Sequence, residues 1–145
     1  ASTELDIIMG AAAPYLDEVR QQVARMPFRA TVSVNVTDMA ERMCLADLSI
    51  GAAGGTSWER CCLGLPAILV VLAENQVAGA TALEISGAAV KIDDADQLEG
   101  TLPSVLAALF EPGRLERMSD AAAGITDGDG VFRALQEMGA AGGRD

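Results

Sequence analysis

The chain has 145 residues, 50% apolar, 3% aromatic and 21% charged, with 21 Asp and Glu against 10 Lys and Arg, a formal net charge of -11 and no histidine. That charge excludes general nucleic-acid binding, which needs basic patches to neutralise phosphates, and attraction to an anionic membrane surface. The missing histidine excludes a Ser-His-Asp triad, a Cys-His pair and a His-ligated zinc site within the chain, and no apolar run approaches the roughly 20 residues of a membrane span.

Leu5 to Gly10 (LDIIMG) reads as a buried strand ending in glycine. Pro14 suits the first turn of a following helix with Leu16, Val19 and Val23 on one face. Ala30 to Val36 alternates like a second strand, and Asp38 to Glu41 has capping-box spacing for a helix to about Leu45. Leu48 to Ala53 is a third strand, and Thr56 to Leu63 a short helix stopped near Gly64 and Pro66. Ala67 to Leu72 (AILVVL) is continuously apolar, as a parallel strand covered on both faces would be. Gln76 to Ser86 is helical and closes at Gly87, and Ala88 to Ile92 is a fifth strand. Helical patterns then fill Gln97 to Phe110, Pro112 to Ala123 and Gly130 to Met138. The Gly/Ala-rich tail 139–145 is expected to be flexible beyond a domain of residues 1–138. Strands alternating with helices predict an α/β layered domain with a mainly parallel sheet of about five strands. Ligands in such sheets sit beyond the carboxyl ends of the strands.

Three cysteines (Cys44, Cys61, Cys62) form no disulfide framework, and the adjacent Cys61 and Cys62 read as small buried hydrophobes. With no basic-then-apolar leader pattern in residues 1–6, the expected setting is reducing and cytoplasmic. The six Met read as core filler, and Trp58 as packed on the sheet. The clusters Asp93-Asp94-Ala95-Asp96 and Asp127-Gly128-Asp129-Gly130 read as turns and helix starts, the first lacking the Gly and closing Glu of a calcium loop. Neither a metal nor a cofactor is implied.

The segment from Ala46 to Gln76 carries the chemistry. A strand ends near Gly51, a small-residue loop follows, and a helix begins near Thr56. Gly54 and Gly55 let a ligand approach the backbone, and free N–H groups at a helix start favour a phosphate. Lys91 is the only lysine, so backbone amides would have to hold the anion, helped at most by a nearby arginine. The spacing fits neither a Walker A loop nor GxGxxG, and a tight strand-to-helix connection without ligand explains a Gly-Gly turn equally well. Thr56 to Glu59 can be a capping box, with Thr56 as N-cap; alternatively the Glu59 carboxylate accepts from both hydroxyls of a ribose. Asn75 and Gln76 can be a solvated helix start.

The run GAAGGTSWERCCLGLP followed by LAENQ resembles the nucleotide-binding lobe of the pseudaminic-acid pathway UDP-sugar hydrolases, which are similar in turn to the MurG-like glycosyltransferases of the GT-B fold. The likeness extends more loosely from Leu5 to about Met138, and Asp127 to Gly130 with Arg133 resembles the family's closing helix. It implies one Rossmann-like lobe of a GT-B enzyme that binds a UDP-sugar. In that reading the backbone around Val36 recognises the uracil edge, Gly54, Gly55, Thr56 and Ser57 hold the diphosphate, and Glu59 binds the ribose. Glu74, Asn75 and Gln76 face the sugar. The family's catalytic histidine belongs to an N-terminal lobe, so no catalytic residue is expected in this chain and that lobe becomes an expected partner. The family's lobe also begins with one more strand than is found before Leu5. An absent central strand would leave a sheet edge or gap, which a homo-oligomer contact is expected to cover. Two other readings stay open: a lobe of a MurG-like glycosyltransferase, and a non-enzymatic α/β binding module.

Overall fold

The computed structural model describes residues 3–141, with side chains to residue 138, and the chain divides after Met39 into two compact units. The first is a β-α-β unit: β1 (Glu4–Met9), α1 (Leu16–Val23) and β2 (Arg29–Val34), with α1 packed on β2. The strands are parallel and in register from Glu4 opposite Arg29 to Met9 opposite Val34. Side-chain pairs follow that register: Arg29 Nε lies 3.1 Å from Glu4 Oε1, and Thr31 Oγ1 donates to Asp6 Oδ1 at 3.1 Å. None of the described residues of this unit is fully buried.

The second unit opens within α2 (Met39–Leu45) and continues through β3 (Ser49–Ala52), α3 (Thr56–Cys62), β4 (Ala67–Val70), α4 (Val77–Ile85), β5 (Ala89–Ile92), α5 (Leu98–Leu109), α6 (Arg114–Ala123) and α7 (Gly130–Ala141). Single 3-10 turns at Glu74–Gln76 and Ala95–Gln97 lead into α4 and α5. Its sheet has the order β3-β4-β5, all parallel, with Ala67 paired to Ser49 on one side and Ala89 on the other. All five expected strands therefore form, and every pair is parallel as expected. They pair as a two-stranded and a three-stranded sheet, and β3 keeps one edge without a strand partner among the described residues.

The centre of this unit is β4, buried at every residue. Successive side chains of a strand point to opposite faces. Accordingly Ala67 and Leu69 join a cluster with Cys61, Ala80, Leu83 and Ala122, whereas Ile68 joins one with Ile92, Leu109 and Met118. Helices cover both faces, which is why the run has no polar alternation.

Several expectations change. Only Cys61 of the three cysteines is buried: Cys44 and Cys62 are exposed, because neighbouring helix positions face different ways. Trp58 is 49% exposed and is not a core residue. Met43 and Met118 are core residues, but Met138 is exposed, beside Val131 and Leu135 on α7. The aspartate clusters are turns as read. Asp94 Oδ1 accepts from the Asp96 amide at 3.0 Å, and Asp127 accepts from the Asp129 amide while pairing with Arg133 at 2.8 Å. No metal-ligand cluster occurs among the described residues, and no helix there is long and apolar enough to cross a membrane. Residues 142–145 of the expected flexible tail lie outside the described residues.

Ile68 is fully buried and Ile50, on β3, is 45% exposed. Truncating Ile68→Ala is expected to cost about 2–5 kcal/mol and Ile50→Ala clearly less. Urea unfolding of the two variants checks this; equal losses would contradict the assigned core.

Candidate functional site

Because β3, β4 and β5 run parallel, the loops after them emerge at one edge of the sheet. The Ala53 amide donates to Val70 O at 3.0 Å, extending the β3–β4 ladder to the base of the first loop. Gly55 is the N-cap of α3, so Thr56 is the first helical residue and not the cap. The expected capping box does not form: no side chain caps this helix, and Glu59 is exposed. Two tight turns replace it. Ser57 N donates to Gly54 O at 3.0 Å and Trp58 N to Gly55 O at 3.1 Å.

These bonds leave the amides of Gly54, Gly55 and Thr56 without an acceptor among the described residues. Three consecutive free donors suit an anion rather than a neutral group. The Ser57 amide, by contrast, is already engaged, and its Oγ is buried without a partner.

The second loop brings Gln76 to the first. Gln76 Oε1 accepts from the Leu72 amide at 2.9 Å. That bond identifies the oxygen, since an N–H can only donate, and turns Nε2 the other way. Nε2 then lies 3.9 Å from where a Gly54 Cβ would stand, and nothing lies within 4 Å of the corresponding point at Gly55. Gly54, Gly55, Thr56 and Gln76 thus form one cluster of hydrogen-bond donors. Glu74 and Asn75 are exposed in the 3-10 turn that leads to Gln76, and neither caps α4, whose N-cap is Gln76 itself.

Glu59 lies three residues after Thr56 on α3. It borders an apolar depression of about 240 Å³ with Ala40, Met43, Cys62 and Leu63, and no hydrogen bond or ion pair holds its carboxylate among the described residues. Val36 belongs to the first unit. There Asn35, with φ 51°, donates its amide to Met9 O at 3.0 Å and accepts from the Ala11 amide at 2.9 Å, tying the loop after β2 to the loop after β1. A second cleft of about 240 Å³, between β5, α5 and α6, includes Val105, Arg114 and Arg117 but none of the loop residues.

Sequence reasoning missed Arg60. It is 8% exposed, on the face of α3 that it shares with Ser57 and Cys61, and donates from Nη1 to Ala52 O at 3.3 Å. Burial pushes its pKa below the ordinary arginine value, against opposing effects of Glu59 and Cys61. Burial likewise pushes the Cys61 thiol up, so it is a poor nucleophile. The one signal in the sequence was the i, i+3, i+4 spacing of Ser57, Arg60 and Cys61, with Ser57 and Cys61 small. Lys91 is held by Asp93 at 2.7 Å, which raises its pKa.

The Cys-Cys-Leu-Gly-Leu-Pro run is a helix-ending device. Gly64 has φ +64°, its amide donates to Cys61 O at 2.9 Å, and the Leu65 amide donates to Arg60 O at 2.9 Å. Ser119 of α6 donates to Gly64 O at 2.7 Å, and Leu65 and Pro66 are buried at the entry to β4. Gly64→Ala would strain a left-handed residue and is expected to cost about 1–2 kcal/mol. Thermal unfolding checks this; an unchanged midpoint would contradict the assigned turn.

Residues 2–131 match the glycosyltransferase family 28 C-terminal domain. The chain is 35% identical over 116 residues to the UDP-N-acetylglucosamine–N-acetylmuramyl-(pentapeptide) pyrophosphoryl-undecaprenol N-acetylglucosamine transferase of Sorangium cellulosum, covering 76% of this chain and 29% of that protein. It is 32% identical over 85 residues to the spore coat polysaccharide biosynthesis protein SpsG of Bacillus subtilis, covering 59% of this chain and 25% of that one. The crystal structure of Acinetobacter baumannii MurG superimposes with a TM-score of 0.77 at 23% identity, over 94% of this chain and 41% of that one. The chain thus spans about a quarter to a third of the curated relatives it matches. The architecture is that of a GT-B Rossmann-like lobe, and the chain belongs to glycosyltransferase family 28 as its C-terminal domain.

Proposed function

We propose that this chain is the nucleotide-sugar-binding lobe of a two-lobed glycosyltransferase and that its ligand is a UDP-sugar. The observation that carries the reading is the donor cluster: three free amides at Gly54, Gly55 and Thr56, bordered by the Gln76 side-chain amide. In this reading those donors hold the diphosphate. Ser57 contributes by shaping the loop, since its amide is bonded to Gly54 O. Glu59 accepts from the ribose hydroxyls, and Glu74, Asn75 and Gln76 face the sugar.

An acceptor hydroxyl attacks the anomeric carbon of the sugar, the bond to the diphosphate oxygen breaks, and UDP leaves. Negative charge grows on the leaving oxygen as that bond breaks. Fixed amides aimed at it stabilise the transition state without reorganising. The acceptor site and the group that takes the acceptor's proton are assigned to the other lobe. UDP is chosen because the 35%-identical relative from Sorangium cellulosum is named as a UDP-N-acetylglucosamine-dependent transferase.

Transfer is preferred to hydrolysis. The two curated relatives described above are a transferase and a polysaccharide biosynthesis protein. Hydrolysis rests on the sequence resemblance alone, and the Cys-Cys-Leu-Gly-Leu-Pro part of that resemblance is accounted for by the end of α3.

Titration calorimetry with UDP tests the reading. Binding is expected for the chain, with no turnover. Glu59 makes no capping bond. Glu59→Ala is therefore expected to change the unfolding free energy by less than about 0.5 kcal/mol and to weaken UDP about tenfold or more. No heat at millimolar UDP would overturn the proposal and favour a non-enzymatic module.

A further inference from the structure

Arg60 is a buried cation without a counter-ion. The residue is 8% exposed, its guanidinium lies against Gly51 and Ala52 of β3, and it has no ion pair among the described residues. Its one hydrogen bond runs from Nη1 to Ala52 O at 3.3 Å, and Nε is buried without a partner. β3 makes room for it at Gly51, where a Cβ would stand 2.6 Å from Nη2. The nearest acidic neighbour in sequence, Glu59, is exposed.

An arrangement of this kind is expensive if its purpose is packing. A buried charge left unpaired is destabilising, and apolar residues of similar volume usually serve a core as well or better. The position of the charge suggests what offsets the cost. Ala52 is the last residue of β3 and stands two residues before Gly54. The cation therefore sits at the base of the loop whose amides are free. Shielded from water, it is screened less than a surface arginine would be. The chain as a whole carries a net charge of -11, and its single lysine is bound to Asp93, so the loop needs a local source of positive charge.

We propose that Arg60 is a positioning residue for anion binding. It holds the β3–α3 loop from beneath through the Ala52 carbonyl and, as a desolvated cation, favours the diphosphate of the nucleotide at the Gly54–Thr56 amides without touching it. This rests on the nucleotide-binding reading given above. A merely structural Arg60 is replaced as well by the neutral donor of Arg60→Gln as by the charge of Arg60→Lys. A charge acting on the diphosphate is recovered by Arg60→Lys and not by Arg60→Gln, and it spares uridine.

The test measures the affinities of UDP and uridine, by calorimetry or amide NMR, for the unaltered chain and for Arg60→Met, Arg60→Gln and Arg60→Lys. Arg60→Met is expected to weaken UDP roughly tenfold or more and to leave uridine unchanged. Arg60→Lys keeps the charge but loses the fork, and is expected to recover part of the UDP affinity. Should Arg60→Met fail to fold, Arg60→Gln reads the same ratio, since it keeps a donor for Ala52 without the charge. Equal UDP affinity in the neutral variant, or equal losses of UDP and uridine, would overturn the inference while leaving the nucleotide reading standing. An unaltered chain that binds neither ligand overturns that reading, and this inference with it.

Discussion

The second unit depends on one constraint: β4 is covered on both faces and hydrogen-bonded on both edges by parallel neighbours. Burial of Ile68 to one side and Leu69 to the other fixes the strand's facing, because a slip of one residue would exchange the two apolar sets. Parallel pairing then places the ends of β3 and β4 together. The contact between Gly54 and Gln76, 22 residues apart in sequence, follows from that register and from nothing local.

The loops that meet there meet an electrostatic problem. In the proposed reading, an acidic chain attracts a diphosphate without a basic side chain in contact with it. Peptide dipoles supply fixed partial charges that need no counter-ion, and two backbone turns leave Gly54, Gly55 and Thr56 as donors. The turns also explain the small residues of the loop. Gly51 admits the Arg60 guanidinium, and the point where a Gly55 Cβ would stand is open. Backbone donors and a buried cation together leave the protein's negative surface unaltered.

Much of this was legible in the sequence. The strands announce themselves because burial imposes pattern: AILVVL reads as a strand covered on both faces, and Ala67–Val70 is one, although Leu72 at the end of the run is exposed. The candidate loop is legible through Gly54 and Gly55, whose lack of side chains leaves the backbone open. What was not legible depends on long-range geometry. The division into two-stranded and three-stranded sheets is set by pairing between distant segments. Thr56 and Glu59 have capping-box spacing, but spacing does not say where the helix begins, and Gly55 takes the cap. The exposure of Cys62 next to buried Cys61, and the burial of Arg60, turn on which face of a seven-residue helix meets β4 and α6. A charged residue in a short helix is ordinarily read as solvent-facing, which is why Arg60 escaped notice.

Amide NMR of the chain titrated with UDP tests the central claim most directly. The account predicts the largest shifts at the free amides of Gly54, Gly55 and Thr56 and at the Gln76 side-chain amide. The amides of Ser57 and Trp58, already bonded to loop carbonyls, should move less. Largest shifts instead at the cleft around Val105, Arg114 and Arg117, or none in the loop at saturation, would contradict it.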